Sequence, residues 1–293
     1  MIDATLLLGA ELKPSSTSWT HRDAIIYALG VGITDLGPRG LSRLYEKDLQ
    51  VLPTFGCLAG MADVEEFTSL PGADFHYSKL LHAQHEVELH RVVPANARDV
   101  VRTGKVVGVH DKGRAAMVVL DTDLVLEGAP FVTTRTTCFV QGEGGFDARV
   151  GELPRERPAT PERTPDAVVR VPTTAIQAAV YRLSGDWNQL HIDPEVAAMV
   201  GLERPILQGM CSFGIAVTSV IDAILDGKAE LVRRFGVRFT GMAYPGDTLE
   251  TRAWKVEGGA VFESVASNRD DAPILSGGGV FTTASPTSAT KEN

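Results

Sequence analysis

Cysteine is scarce in this 293-residue chain: Cys57, Cys138 and Cys211 are its three, and none forms a CxxC pair. So odd and scattered a set excludes a disulfide framework and suits a reducing compartment, so a cytoplasmic protein is expected. Long apolar runs are missing too. The windows 25–33 and 210–225 are broken by Gly, Ser or Asp222, short of the roughly 18 to 20 apolar residues of a membrane span. The opening MIDATLLLGAELK has no basic flank ahead of its apolar patch, so no secretion signal is expected. Positive charge is in deficit, with 28 Lys and Arg against 37 Asp and Glu; the net charge of −9 argues against a nucleic-acid partner. What is present, 44% apolar and 22% charged residues, suits one large or two modest folded domains working on small molecules.

Composition shifts at 142–166, where GEGGFDARVGELPRERPATPERTPD carries four prolines among glycines and mixed charges. Residues 146–166 read as a Pro-rich linker between an N-terminal domain, 1–145, and a C-terminal domain, 167–284. The polar tail 285–293 is expected to be disordered. In the first domain, Thr20 with Asp23 marks a helix start, followed by Ala24, Ile25, Ala28 and Leu29 at helical spacing. Strands are expected over 84–93, 99–110, 114–125 and 131–140. The second domain repeats the scheme: a strand at 168–171, a helix at 174–183, a long apolar helix at 208–225, then strands at 232–240, 247–256, 260–267 and 273–283. Short matches recur in order. Tyr27-Ala-Leu-Gly30 ends one helix as Tyr181-Arg-Leu-Ser-Gly185 ends the other, and Ala129-Pro130 and Ala272-Pro273 precede the two last strands. A helix followed by antiparallel strands, twice, implies an α+β protein whose sheets each wrap around helix.

The densest polar cluster is YRLSGDWNQLHIDP, residues 181–194. Asp186, Asn188 and His191 follow a helix in a glycine-started turn, where side chains two and three residues apart can converge on one water. Imidazole titrates near working pH, so this is equipment for adding or removing water. Either feature alone is ordinary turn chemistry. Downstream, RPILQGMCSFG places Gly209 at or near the start of the long helix. Unpaired N–H groups there carry partial positive charge and could bind a developing oxyanion, with glycine allowing close approach.

YRLSGDWNQLHIDP followed by RPILQGMCSFG resembles the signature of the MaoC-like, R-specific enoyl-CoA hydratase 2 family. TSWTHRDAIIYALGVG, VLPTFG and VRFTGMAYPGDTLETRAWK extend the resemblance over roughly residues 15–283. It implies a double hotdog: two antiparallel sheets each wrapped around helix, the N-terminal hotdog degenerate and without an Asn/His pair. In such relatives the N-terminal domain shapes room for a long or bulky acyl chain. By position, Asp186 and His191 would be the catalytic pair, Asn188 would orient them or the water, and the Gly209 amide would hold the thioester carbonyl. The implied reaction is reversible hydration of a trans-2-enoyl-CoA to a (3R)-3-hydroxyacyl-CoA, on medium, long or bulky chains in β-oxidation or sterol side-chain degradation. The alternatives are a (3R)-hydroxyacyl dehydratase in biosynthesis, acting on CoA or carrier-protein thioesters, and a non-catalytic acyl-thioester-binding partner subunit. No metal or redox cofactor is implied, the CoA thioester being substrate. A homodimer and a separate 3-hydroxyacyl-CoA dehydrogenase downstream are expected. The family pattern has Pro where this chain has Gln189 and His where it has Gln208. Substrate preference is where those departures should tell.

Other polar groups read as structural. His82, His85 and His90 lie in LLHAQHEVELH, expected to be a half-exposed strand without further metal ligands. Asp121 and Asp123 are expected at a solvated strand end. Cys211 should be a buried small hydrophobe, not a nucleophile. The glycine runs at 142–145 and 277–279 lack the context of a phosphate loop. Arg233, Arg234 and Arg238 could assist CoA phosphates, although alternation along a strand splits neighbours between faces.

Overall fold

The computed structural model describes residues 2–60 and 64–283; the tail expected at 285–293 lies outside the described residues. The N-terminal half runs α1 (Ala4–Leu7), β1 (Ser15–Trp19), α2 (His21–Gly30), α3 (Pro38–Leu44), α4 (Phe55–Gly60), α5 (Val64–Thr68), β2 (Leu80–Leu89), β3 (Ala97–Asp111), β4 (Ala115–Leu126), β5 (Ala129–Gln141) and β6 (Arg149–Gly151). The C-terminal half runs β7 (Ala167–Pro172), α6 (Gln177–Tyr181), α7 (Pro194–Met199), α8 (Gly209–Ile224), β8 (Arg234–Phe239), β9 (Thr248–Val256), β10 (Gly259–Ala266) and β11 (Ala272–Phe281). The fold is α+β, with a sheet around helix in each half.

The two half-sheets join edge to edge. Strand order is β1-β3-β4-β5-β2-β8-β11-β10-β9-β7, with β6 on the far side of β3. The seam pairs β2 with β8 antiparallel, His85 opposite Val237 and Glu86 opposite Gly236. Pairing removes an open edge from each half, where unpaired N–H and C=O groups would otherwise face water or another chain. The Pro-rich segment crosses the outside of this seam. Gln84 Nε2 donates to the Arg155 carbonyl at 2.9 Å and Arg157 Nε to the Gly277 carbonyl at 2.9 Å. Gly236 makes room, since a Cβ there would meet Arg157 Nη1 at 2.6 Å.

Helix α2 starts on the expected capping box: the Asp23 carboxylate accepts from the Thr20 N–H at 2.8 Å while the Thr20 side chain meets the third helical N–H. Helix α8 is the axis of the C-terminal half. Met210 to Ile221 are all buried, a helix apolar on every side, as a core helix must be. Gly214 lets the N-terminal half approach it, because a Cβ would fall 2.6 Å from Val31 Cγ1 and 2.7 Å from the Tyr27 hydroxyl. Among the described residues, no helix of the N-terminal half reaches that length.

Several expectations need correction. The helix expected over 174–183 is only α6, closed by a 3-10 turn, Arg182–Ser184, before Gly185 at φ 121°. Strand β2 is not half-exposed: as a central strand beside the seam it buries Gln84, His85, Glu86 and Val87. Asp121 and Asp123 are not at a strand end. They sit within β4, Asp121 held by Arg135 through two 2.6 Å hydrogen bonds and Asp123 accepting from Thr133 Oγ1 at 2.7 Å. Arg234 and Arg238 share one face of β8 with Gly236 between them, because they are four apart, and Arg233 precedes the strand.

Candidate active site

The segment from Gly185 to His191 is a short, polar connection, and its own hydrogen bonds shape it. The Asp186 carboxylate accepts from the Asn188 N–H at 3.3 Å, and Asn188 Oδ1 accepts from the Leu190 N–H at 3.0 Å. Asn188 thereby caps the 3-10 turn Gln189–His191 that carries the imidazole. Arg182 braces the same segment, donating from Nη2 to the Trp187 carbonyl at 3.2 Å with its guanidinium 4.6 Å from the Trp187 ring centre.

His191 is tied to the approach of α8. Its Nδ1 lies 3.0 Å from the Ile206 carbonyl; a carbonyl only accepts, so Nδ1 carries the proton and Nε2 keeps a free lone pair. Burial pushes the imidazole below its ordinary pKa, the Asp186 carboxylate and the Ile206 hydrogen bond pull the other way, and Arg182 adds to the depression. The Asp186 charge is also felt by Tyr181 and by Cys211, two residues into α8 from Gly209. The hydrogen bond to Ile206 places His191 beside the approach to the helix tip. Among the described residues no hydrogen bond joins Asp186 directly to His191.

Gly209 is the first residue of α8 and is exposed, while the residues after it are buried. Its N–H is one of the four that a helix start leaves unpaired. A Cβ there would press on the Phe239 ring at 3.2 Å, so glycine keeps the tip clear. Gln208, at the N-cap, is wholly buried; its Nε2 donates to the Ala178 carbonyl at 3.1 Å, and its Oε1 is buried without a partner among the described residues. The departure at Gln208 thus ties the α8 start to α6. Gln189 opens the 3-10 turn, a position Pro also fits.

Cys211 is buried, its thiol pKa pushed up by burial, and its Sγ contacts the Gly30 carbonyl at 3.3 Å. Among the described residues no group of three or more His, Cys, Asp or Glu is placed to hold a metal ion. Sequence reasoning missed the Arg182–Trp187 brace and the junction at Gly30. The Gly30 carbonyl also accepts from Gln177 Nε2 at 2.6 Å, and a Cβ at Gly30 would lie 3.1 Å from the Tyr181 Cα. The matched Tyr-x-Leu sequences were the available signal, because the duplicated helices pack on each other.

Residues 18–142 match the MFE-2 hydratase 2 N-terminal domain and residues 156–272 the MaoC like domain. "Enoyl-CoA hydratase ChsH3" of Mycobacterium tuberculosis is 41% identical over 283 residues, covering 94% of this chain and 97% of that protein. The chain belongs to the MaoC-like hydratase 2 family. A MaoC-like dehydratase from Phytophthora capsici superposes at TM-score 0.87 with 29% identity, covering 97% of this chain and 99% of that one. A Mycobacterium tuberculosis protein described as a double hotdog superposes at TM-score 0.50 with 13% identity over 92% of this chain and 94% of its own, a likeness of fold alone. This family member is a double hotdog with the hydratase motif in its C-terminal half. Among the described residues, no helix is long and apolar enough to cross a membrane.

Proposed function

We propose that this chain is an R-specific 2-enoyl-CoA hydratase in which Asp186 and His191 hold the attacking water and the Gly209 amide holds the thioester oxygen. The observation that carries the reading is the hydrogen bond that sets the tautomer of His191: with Nδ1 donating to Ile206, Nε2 is the free acceptor, in the same loop as Asp186. Polarising the carbonyl makes C3 electrophilic. The water oxygen bonds to C3, its proton passes to the Asp186–His191 pair, and the pair returns a proton to C2. One water is consumed and the pair ends as it began. No electrons leave the substrate, so the step calls for no redox cofactor, and the pair supplies the base that a metal would otherwise generate.

Asn188 orients His191 through the turn it caps. The name of the 41% identical relative supports enoyl-CoA as the substrate class. The N-terminal half, whose described helices are all shorter than α8, supports a long or bulky acyl group. The product is a secondary alcohol, whose onward oxidation would fall to a separate 3-hydroxyacyl-CoA dehydrogenase. A cytoplasmic homodimer completes the reading: the three cysteines are free, and Leu36, Ile176 and Met199 present apolar surface for contact.

Purified protein should bleach the enoyl absorbance of crotonyl-CoA or a longer enoyl-CoA, and chiral analysis should return the (3R) alcohol. Asp186→Asn or His191→Ala should each lower kcat/KM by about 1000-fold or more, within the reach of acid–base catalysis combined with a lost water site. Full activity in both variants would end the assignment, and a preference for carrier-protein thioesters would move it to biosynthetic dehydration.

A further inference from the structure

Two imidazoles, one wholly and one partly buried, lie near the candidate site and take no part in that chemistry. His82 and His85 are three apart on β2, a spacing that a regular strand sends to opposite faces. The register against β5 slips between His82 and Gln84, and the bulge turns both rings to the same side. They meet edge to face with ring centres 5.2 Å apart. His82 lies 4.7 Å from the Phe239 ring and His85 6.2 Å from the Phe213 ring. Phe239 is the ring a Cβ at Gly209 would strike, and Phe213 stands one turn into α8. A contiguous row of rings results, running from the helix tip through aromatic rings of the C-terminal half to two imidazoles contributed by the N-terminal half.

This row of rings has unspent hydrogen-bonding capacity. Nε2 of each imidazole is buried without a partner among the described residues, and His85 is wholly buried. Thr136 Oγ1 engages His85 only at Nδ1, at 3.1 Å. Burial pushes His82 down to about 4 and His85 well below its ordinary value, with His82 adding to the latter effect. Both rings are therefore neutral at working pH, and each Nε2 offers an N–H or a lone pair. Buried polar atoms without a partner are rare, and two adjoining ones among aromatic rings mark a place where a partner belongs.

We propose that His82 and His85 form a polar subsite for the acyl chain, hydrogen-bonding a hydroxyl or keto oxygen carried on a bulky enoyl thioester. The inference rests on the hydratase reading, and wild-type turnover of crotonyl-CoA tests that reading separately. The probes are the apolar trans-2-decenoyl-CoA and its analogues bearing one hydroxyl at successive positions beyond C5. Wild-type protein should prefer one positional isomer over the parent by about 3- to 10-fold in kcat/KM, as one neutral hydrogen bond provides. His85→Leu and His82→Phe should erase that preference while leaving decenoyl-CoA turnover within about twofold, and His85→Gln should restore part of it. His82→Phe keeps a ring of similar shape, so it reports even if His85→Leu fails to fold. No preference for any isomer in the wild type would overturn the proposal. So would an equal loss on every CoA thioester, which would place the contact on the shared pantetheine or in the fold itself.

Discussion

The two halves start alike and diverge where the chemistry lies. After Tyr27-Ala-Leu-Gly30 the N-terminal half continues Val-Gly-Ile-Thr-Asp35, and the Asp35 carboxylate merely accepts from the Gly37 N–H at 2.9 Å ahead of α3. After Tyr181-Arg-Leu-Ser-Gly185 the other half continues into the loop of Asp186, Asn188 and His191, the last tied to the Ile206 carbonyl just ahead of α8. The helix tips differ as much. Gly56, near the start of α4, is buried, and a Cβ there would meet Val93 and Val132 methyl carbons at 3.2 Å; Gly209 is exposed. One duplicated frame thus carries a walled-off tip in one half and an open one in the other. Openness of the tip, more than the presence of a helix, separates a candidate oxyanion site from a packing element.

The same substitution at both tips should break that symmetry. Gly209→Ala keeps the N–H but sets a methyl against Phe239, displacing the tip by tenths of an ångström; kcat should fall by up to about 100-fold with the melting temperature nearly unchanged. Gly56→Ala should do the reverse, costing about 1–2 kcal/mol of stability by overpacking while kcat stays within about twofold. Steady-state kinetics and urea denaturation on the two variants check both. If Gly209→Ala alters only stability, the open tip is not where the thioester binds.

A second pair of variants asks how tightly the halves are joined. Arg43 of α3 is almost wholly buried, 1% exposed at its side chain, and grips Asp222 of α8 through hydrogen bonds of 2.9 and 2.6 Å. Asp222→Ala leaves that guanidinium buried without its carboxylate, which should cost about 3 kcal/mol. Asp226, 79% exposed beside Arg39, marks the other extreme: Asp226→Asn, which keeps a residue suited to the φ of 54° there, should cost under about 1 kcal/mol. Comparable losses in the two would show that α3 does not anchor α8.

Much of this arrangement was legible in the sequence because it is local. Strand and helix positions follow from alternation and spacing, the α2 start from Thr20 and Asp23, and the α8 start from Gly209. The polar segment stood out because Asp186, Asn188 and His191 lie within six residues. What could not be read depends on tertiary neighbours. Nothing in LLHAQHEVELH says that β2 faces β8 across a seam, and the bulge that turns His82 and His85 together appears only against β5. Asp121 looked like a strand-end acid because its partner, Arg135, is fourteen residues away on the neighbouring strand. The tautomer of His191 likewise depends on Ile206, fifteen residues downstream.

The imidazoles of the two halves should also separate under acid. An unfolded imidazole titrates near 6.5, whereas His82 is held at about 4, and His85 and His191 below their ordinary value. Between pH 6.5 and 4 the unfolded chain therefore binds protons that the folded chain refuses, so stability is complete above 6.5 and falls as the pH drops through that window. His82→Phe removes one such site, and its stability should decline less steeply than the wild type's, the gap growing to roughly 1–3 kcal/mol by pH 4. Urea midpoints from pH 7.5 to 4.5 measure this, the other titrating groups being common to both proteins. The His191 depression has a different readout, since it touches the reaction: the acid limb of kcat should lie below pH 6.5 in both proteins, and His82→Phe should leave it in place. Parallel stability curves would mean that the N-terminal imidazoles are solvated, and a shifted acid limb would mean that they act on the C-terminal one.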